Sequence, residues 1–222
     1  MTLTAWTDTD GVDRHCLSPA VGSVAAAKTD LRRKVSARRV ARVRTDPDAR
    51  PAAGRAVHRL LAETPELRAL QAGDTVTAYL ELATEVPLAA TRAALAAAGV
   101  TVLVPRVLPD ADLDWVRWTP DTPAPASRTA TVTGTAEDLG PSALVAASVV
   151  LLPGIAGDRD GRRLGRGGGS YDRALGRLPT GSRRPWTCLV LYDDEVVDMV
   201  PVDVHDVYVD AVVTPGGLVR RG

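Results

Sequence analysis

Alternating strand and helix patterns predict an α/β protein, built as a single three-layer α/β/α domain with a mostly parallel, Rossmann-like sheet. Strands that are separated by helices pair in parallel, because each helix carries the chain back across the sheet. The chain has 222 residues, which is enough for one large hydrophobic core. It contains no internal repeat, so residues 27–222 are assigned to one domain.

The first 61 residues are predicted to form an extension and two helices. Residues 1–26 show weak hydrophobic periodicity, which predicts a disordered or loosely packed extension. From Lys28 to about Leu61 apolar residues recur at helical spacing, and arginines cover the remaining positions. The segment Asp46-Pro47-Asp48 interrupts this pattern, so two helices are expected rather than one.

The remaining elements follow in alternation. A helix over 88–98 is expected to end at Gly99, because glycine readily adopts the left-handed conformation found after helices. Residues 120–125 are predicted to form a loop, and residues 143–152 are expected to run from a helix into a strand. Further strand patterns occur at 75–82, 100–104, 113–118, 186–191 and 207–213.

Composition favours a cytoplasmic enzyme over a membrane or secreted protein. The net charge is zero, so no overall field favours nucleic acid or a membrane surface. No apolar run approaches the roughly 18 residues of a spanning helix, and the polar, acidic amino terminus is unlike a secretory signal. Cys16 and Cys188 are isolated and lack metal-site spacing, so both are expected to be reduced.

The most informative segment is the glycine-rich stretch at residues 161–175. Four glycines and three arginines fall within residues 162–170, after a buried strand pattern and before an apolar helical one. Glycine lets backbone N–H groups approach an anion closely, and arginine donors suit phosphate oxygens. A phosphate-binding loop is therefore predicted, with a flexible surface loop of solvated arginines as the alternative.

Neither common nucleotide fingerprint fits this loop. A Walker A loop requires a lysine, which the segment lacks, and the dinucleotide fingerprint requires glycine where Ser170 stands. The segment instead resembles the signature of the 5-formyltetrahydrofolate cyclo-ligase family, Pro-Gly-x-x-x-Asp-x-x-Gly-x-Arg-Leu-Gly-Arg-Gly-x-Gly-Tyr-Tyr-Asp. The matching residues are Pro153, Gly154, Asp158, Gly161, Arg163, Leu164, Gly165, Arg166, Gly167, Gly169, Tyr171 and Asp172.

The resemblance covers residues from about Ala27 to Pro215 and implies a reaction. It implies ATP-dependent conversion of 5-formyltetrahydrofolate to 5,10-methenyltetrahydrofolate through a phosphorylated formyl (iminophosphate) intermediate, with release of ADP and phosphate. Arg166 is then the expected catalytic residue. Lys28 and Arg32, spaced to share one helix face, match the family's Lys-x-x-x-Arg pattern. The implied ATP-binding residues are Lys28, Arg32, Arg163, Leu164, Gly165, Arg166, Gly167, Gly168, Gly169, Ser170 and Tyr171.

The resemblance also implies a folate half-site and a metal site. Glu85 follows an early strand pattern and is expected to hold the pterin-side nitrogens, although a lone loop glutamate is more often simply solvated. The other implied substrate-binding residues are Leu80, Arg166, Gly167, Gly168, Gly169 and Ser170. Asp172 and Asp210 are the implied Mg²⁺ ligands, with a helix cap and a buried ion-pair partner as the respective alternatives. His205 and Asp206 resemble a family His-Asp pair and are interpreted as structural hydrogen-bonding residues.

Departures from the family pattern leave other functions open. Ser170 replaces a family tyrosine and Gly157 replaces a usual aromatic residue, so weaker stacking on the substrate ring is expected unless Trp115 or Trp118 compensates. One alternative is therefore an inactive relative that binds a nucleotide or phosphate. Another is a nucleic-acid-binding module that uses the amino-terminal arginines. The expected partners are small molecules rather than nucleic acid or membrane, and the expected state is a monomer.

Overall fold

The structure is a computed structural model that describes residues 21–122 and 138–222, with side chains from residue 24 onward. The helices are α1 (Val21–Thr45), α2 (Ala49–Ala62), α3 (Pro65–Arg68), α4 (Ala89–Ala97) and α5 (Ser170–Gly176). The strands are β1 (Thr75–Thr77), β2 (Thr101–Val107), β3 (Leu113–Arg117), β4 (Val149–Pro153), β5 (Ala156–Gly157), β6 (Arg163–Leu164), β7 (Trp186–Val190), β8 (Ala211–Thr214) and β9 (Gly217–Arg220).

Seven of these strands form one mixed sheet in the order β3-β2-β1-β4-β7-β8-β9. The five inner strands are parallel, and the two edge strands, β3 and β9, pair antiparallel with their neighbours. From β1 the chain builds outward through β2 to one edge and then returns to the other side of β1 as β4. In sheets of this kind, ligands bind beyond the carboxyl ends of the strands where the order reverses.

Side chains alternate across the inner strands and build a core on each face. Val149 and Leu151 of β4 pack in the cluster that contains Val57 and Leu61 of α2. The next residues, such as Val150, belong to the cluster on the other face, which contains Ala174 and Leu175 of α5. Both faces are therefore covered, and the prediction of a three-layer α/β/α domain with a mostly parallel sheet is confirmed.

Helix α1 packs on a separate two-stranded hairpin formed by β5 and β6. Val35 of α1 is fully buried against Ile155, Ala156 and Leu164, which lie in or beside that hairpin. Because β6 leads directly into the glycine-rich loop, this packing brings one face of α1 against the loop. None of the helices in the described part of the chain is long and apolar enough to span a membrane.

Most sequence-predicted elements have counterparts, with differences at their ends. The break between α1 and α2 and the end of α4 before Gly99 (φ +79°) are as predicted. The predicted extension is shorter at its inner end, because α1 begins at Val21; residues 1–20 lie outside the described residues. Residues 123–125 of the predicted loop also lie outside them.

Two predicted strands are too long. The pattern at 75–82 gives only the three residues of β1, because the following residues turn away and the Tyr79 hydroxyl donates to the Val86 carbonyl. The pattern at 207–213 gives a strand only from Ala211. Before that point the Val209 N–H donates to the Gly161 carbonyl of a neighbouring loop. Strand β9 was not predicted from the sequence.

Candidate active site

A cavity of about 1160 Å³ opens at the carboxyl ends of β1, β2 and β4, where the strand order reverses. One wall is largely apolar and comes from residues after β1 and from the hairpin of β2 and β3. The opposite wall is the glycine-rich loop between β6 and α5. The apolar wall contains Tyr79, Leu80, Pro105, Val107 and Leu113. The cavity therefore has one side suited to a ring and another suited to an anion.

The glycine-rich loop, Gly165–Gly169, lines the cavity along its whole length. Gly167 and Gly169 have φ values of +101° and +67°, which residues with a Cβ adopt only with strain. Arg32 Nε donates to the Gly165 carbonyl oxygen at 2.8 Å, so α1 anchors the start of the loop. These contacts explain why the loop sequence needs glycines and why Arg32 lies beside it.

Glu85, predicted to bind the folate, and Arg166, predicted to contact both substrates, meet in an ion pair. Arg166 Nη2 lies 2.8 Å from Glu85 Oε1, and Nε lies 3.2 Å from the same oxygen. The other oxygen of Glu85 accepts a hydrogen bond from the Leu82 N–H at 2.9 Å. Glu85 is 5% exposed, so it is not the solvated loop carboxylate considered as the alternative. Its carboxylate is directed by protein donors on both oxygens.

Two carboxylates, Asp172 and Asp206, belong to segments that contact each other where the glycine-rich loop leads into α5. Asp172 pairs with Arg163, and its Oδ1 also accepts from the Val207 N–H at 3.3 Å. Asp206, the residue before Val207, pairs with Lys28 of α1. Asp172 and Asp206 both line the cavity. Two carboxylates, each paired with a cationic side chain, thus line the cavity that also contains the loop suited to phosphate.

Asp210 lies elsewhere, which corrects the prediction that it and Asp172 share a metal ion. Its carboxylate accepts two hydrogen bonds from Arg184 Nη1, at 2.5 and 2.7 Å, and two from the N–H and hydroxyl of Thr187. It is not among the described residues that line the cavity. It therefore matches the alternative considered for it, an ion-pair partner that ties the start of β8 to β7.

His205 and Asp206 were interpreted as structural residues, and the structure shows that they also face the cavity. Both line the cavity, together with Asp203. Asp206 also accepts from the Asp203 N–H at 2.7 Å, so it stabilises its own turn while facing the site. In the sequence, the only indication of this position was the His205-Asp206 pair itself, shortly before the last parallel strand. In the structure, the pair lines the same cavity as the carboxyl end of β4 and the glycine-rich loop.

The two positions at which this chain lacks an aromatic residue of the family pattern, Gly157 and Ser170, differ in their relation to the cavity. Gly157 lies outside the cavity in β5, where a Cβ would stand 2.7 Å from Leu189 Cδ2, so it removes no ring from the site. Ser170 does line the cavity. Neither Trp115, which is fully buried in the core, nor Trp118 lines the cavity, so neither compensates. Tyr171 lines it, and burial, aided by nearby Glu85, raises the pKa of its phenol above the ordinary range.

Comparison with known proteins decides the family. A family model described as the 5-formyltetrahydrofolate cyclo-ligase family matches residues 24–215. The chain belongs to this family. It is 34% identical over 152 residues to a 5-formyltetrahydrofolate cyclo-ligase of Mycolicibacterium smegmatis, covering 64% of this chain and 74% of that protein. It is 45% identical over 76 residues to a mitochondrial 5-formyltetrahydrofolate cyclo-ligase of Arabidopsis thaliana, covering 31% of this chain and 27% of the relative.

Solved structures support the fold of this cyclo-ligase family member. An NMR structure of Aquifex aeolicus 5,10-methenyltetrahydrofolate synthetase superposes with a TM-score of 0.69 at 24% identity, over 87% of this chain and 92% of the other. A Mycoplasma pneumoniae 5,10-methenyltetrahydrofolate synthetase gives 0.64 at 19% identity, over 85% and 98%. The family and the enzyme class predicted from the glycine-rich signature are confirmed.

Proposed function

We propose that this cyclo-ligase family member converts 5-formyltetrahydrofolate to 5,10-methenyltetrahydrofolate, with ATP cleaved to ADP and phosphate. The observation that carries the proposal is the ion pair between Arg166 and Glu85. This ion pair connects the two walls of one cavity: Arg166 belongs to the glycine-rich wall, and Glu85 lies beside the apolar wall. One side suits a polyphosphate and the other suits a planar ring with N–H donors, so two unlike substrates can meet at their border.

The nucleotide half-site is assigned to α1 and the glycine-rich loop. Lys28 and Arg32 approach from α1, and residues Arg163 to Tyr171, with Arg166 among them, supply backbone N–H groups and guanidinium donors. Such donors are effective for phosphate because the guanidinium fork is planar and permanently charged. In the described structure Arg163 is held by Asp172, and Arg32 is held by the loop carbonyl. Arg166 is also paired, with Glu85, but its side chain is 30% exposed against 2% for Arg163, so it is the better placed of the two to exchange its partner for a phosphate.

The folate half-site is assigned to Leu80, Glu85 and the border residues Arg166 to Ser170. Leu80 contributes apolar surface to the wall on which a pterin ring would pack. The Glu85 carboxylate can accept a pair of hydrogen bonds from adjacent N–H groups of that ring. Because Glu85 is buried beside the apolar wall, these bonds would be shielded from water.

The proposed chemistry requires positioning and charge neutralisation rather than a protein nucleophile. The formyl oxygen attacks the γ-phosphorus of ATP, the new O–P bond forms, and the bond to ADP breaks with ADP as leaving group. The resulting iminophosphate carbon is attacked by the nitrogen at folate position 10. Ring closure breaks the carbon–oxygen bond and expels the oxygen as inorganic phosphate, and the attacking nitrogen loses its proton to phosphate or water. Arg166 stabilises the charge on the transferring phosphoryl group after it leaves Glu85.

The carboxylates at the end of the glycine-rich loop fit a magnesium ion bound together with the nucleotide. Mg²⁺ in nucleotide sites is commonly held by one or two carboxylates, with phosphate oxygens and waters completing the octahedron. Asp172 and Asp206 provide such a pair next to the loop, and we assign the ligand role to them. Within the described residues no three acidic, histidine or cysteine side chains cluster, so phosphate oxygens would have to complete the set. The bound ion would neutralise phosphate charge.

Turnover of the formyl folate tests the proposal. Purified protein is incubated with 5-formyltetrahydrofolate, ATP and Mg²⁺, and the absorbance of the methenyl product is followed. Product should form only when all three components are present, and ADP should appear in equal amount. ATP binding without product would instead support the alternative, a nucleotide-binding relative, which the replacement of a family tyrosine by Ser170 motivates. Salt-sensitive retention on DNA without either result would support the nucleic-acid alternative.

A further inference from the structure

Arg39 of α1 is a buried arginine held rigidly behind the cavity. Its side chain is 3% exposed, and its Nε and Nη2 donate to the two carboxylate oxygens of Glu195, each at 2.7 Å. Nη2 also donates to the Gly154 carbonyl oxygen at 2.7 Å, directly after β4. This bidentate pair and the carbonyl contact occupy two of the three guanidinium nitrogens and fix the plane of the group.

The third nitrogen of Arg39 faces the carboxylate of Glu85. Nη1 lies 4.0 Å from Oε1 of Glu85, the oxygen that Arg166 also contacts, and it has no hydrogen-bond partner among the described residues. Glu85 therefore lies between two guanidinium groups. One of them, Arg166, belongs to the loop at the cavity surface, and the other is buried beneath it.

The two guanidinium groups differ in their freedom to move. Under the proposed function, Arg166 must leave Glu85 to reach the transferring phosphoryl group. A carboxylate that is 5% exposed would then lose the one hydrogen-bonded counter-ion that it has among the described residues, and an uncompensated buried charge is costly. Arg39 cannot follow Arg166, because Glu195 and Gly154 hold it.

We propose that Arg39 is a positioning residue for folate recognition, whose fixed positive charge faces and orients the Glu85 carboxylate while Arg166 serves the phosphoryl group. This inference rests on the proposed function and adds to it a residue that lines no part of the cavity. Burial lowers the pKa of Arg39, but the Glu195 hydrogen bonds and the charges of Glu195 and Glu85 outweigh this effect and raise the pKa overall. The positive charge is therefore permanent.

The test must separate this role from simple stability. Arg39→Met alone would leave Glu195, which is 1% exposed, without its partner and could prevent folding. The double variant Arg39→Met/Glu195→Gln removes both charges, and the glutamine oxygen can still accept from the Tyr192 N–H that Glu195 now binds. Replacing both members of a buried pair is often close to neutral for stability. Arg38→Met is the matched control, since it removes one positive charge from the neighbouring, 46% exposed position.

The test is calorimetric titration of 5-formyltetrahydrofolate into each variant in the presence of a non-hydrolysable ATP analogue, together with titration of ATP into each variant alone. We expect the double variant to keep a near-wild-type melting temperature and ATP affinity, with at least a tenfold weaker Kd for the folate. Its KM for the folate should rise more than its kcat falls, because Arg39 does not touch the phosphoryl group. Arg39→Lys in the Glu195→Gln background should recover much of the folate affinity, and Arg38→Met should bind both substrates as wild type.

A folded double variant with wild-type folate affinity would overturn the inference while leaving the proposed function intact. Equal weakening of folate and ATP would also overturn it, since that pattern indicates a general distortion of the site. Wild-type protein that neither binds nor converts the formyl folate would refute the proposed function itself, and the inference with it. The wild-type titration thus distinguishes the two failures.

Discussion

The carboxylates proposed to bind Mg²⁺ give a prediction in which one substitution should affect catalysis and a similar one should affect only stability. Asp206→Asn changes a cavity carboxylate that faces Lys28, whereas Asp210→Asn changes a carboxylate bound to Arg184 and Thr187 outside the cavity. A neutral amide is a poorer ligand for Mg²⁺ than a carboxylate. The two variants are chemically identical changes four residues apart, so each is the control for the other.

The expected magnitudes follow from the contacts of each aspartate. The Asp210 carboxylate accepts four hydrogen bonds, and bonds to charged groups contribute about 1.5–3 kcal/mol each when fully formed. Its side chain is 30% exposed, and asparagine retains one acceptor oxygen, so we expect a net loss of about 1–2 kcal/mol. For a domain of this size, that loss lowers the melting temperature by roughly 2–8 °C.

The assay is a magnesium titration of the initial rate of methenyl product formation, with a thermal melt of each variant. In Asp206→Asn, and likewise in Asp172→Asn, we expect the Mg²⁺ concentration for half-maximal rate to rise on the order of tenfold, equivalent to about 1.4 kcal/mol of binding free energy. In Asp210→Asn the titration should match wild type. A raised magnesium requirement in Asp210→Asn, with Asp206→Asn unchanged, would refute the reasoning and restore Asp210 as the ligand.

Three other substitutions test the two half-sites. Arg166→Lys should lower kcat by about 100-fold or more with little change in melting temperature, because a point charge cannot replace the planar fork at the phosphoryl group; wild-type turnover would contradict this role. Glu85→Gln should weaken folate binding by roughly 10–100-fold, the value of one charged hydrogen bond, while ATP affinity measured by calorimetry stays near wild type. A loss confined to ATP would mean that the two half-sites are exchanged. Ser170→Tyr should lower the Kd for the folate by a few-fold, since the residue lines the cavity and an aromatic stack contributes about 0.5–1.5 kcal/mol. An unchanged Kd would show that a ring at this position does not contact the folate.

The parts of the site that are continuous in sequence were predictable. The glycine-rich loop has a fixed spacing because its backbone must pass through left-handed conformations at Gly167 and Gly169, and few sequences permit that. The alternation of strands and helices was equally predictable from the sequence, because buried inner strands are short runs of apolar residues. Lys28 and Arg32 were singled out by the family's Lys-x-x-x-Arg pattern, whose spacing places both on one helix face, and both do line the cavity.

The errors arose where backbone hydrogen bonds overrode a local pattern. Val207 to Val213 alternates like a strand, which suggested that Asp210 is buried, and the family resemblance then implied that it binds the metal. The first part of this segment instead hydrogen-bonds to the loop that contains Gly161. Asp210 lies at the start of β8, where its carboxylate binds Thr187 and Arg184. Gly157 was misjudged for a related reason, since a two-residue strand against Leu189 leaves no signal in the sequence.

Arg39 could not be distinguished from its neighbours by sequence, because α1 contains many arginines and only the packing shows which one is buried. Its position nevertheless follows from helix geometry. Val35 is buried against the β5–β6 hairpin, and positions 28, 32, 35 and 39 follow the 3.6-residue repeat, so all four lie on the face turned toward the site. Lys28 and Arg39 are eleven residues apart, or about 16 Å along the helix axis. One helix face thus extends from the proposed nucleotide half-site to Glu85. Val35, together with the partly buried Leu31, anchors this face on the β5–β6 hairpin, so under the proposed function one helix outside the main sheet would contribute to both half-sites.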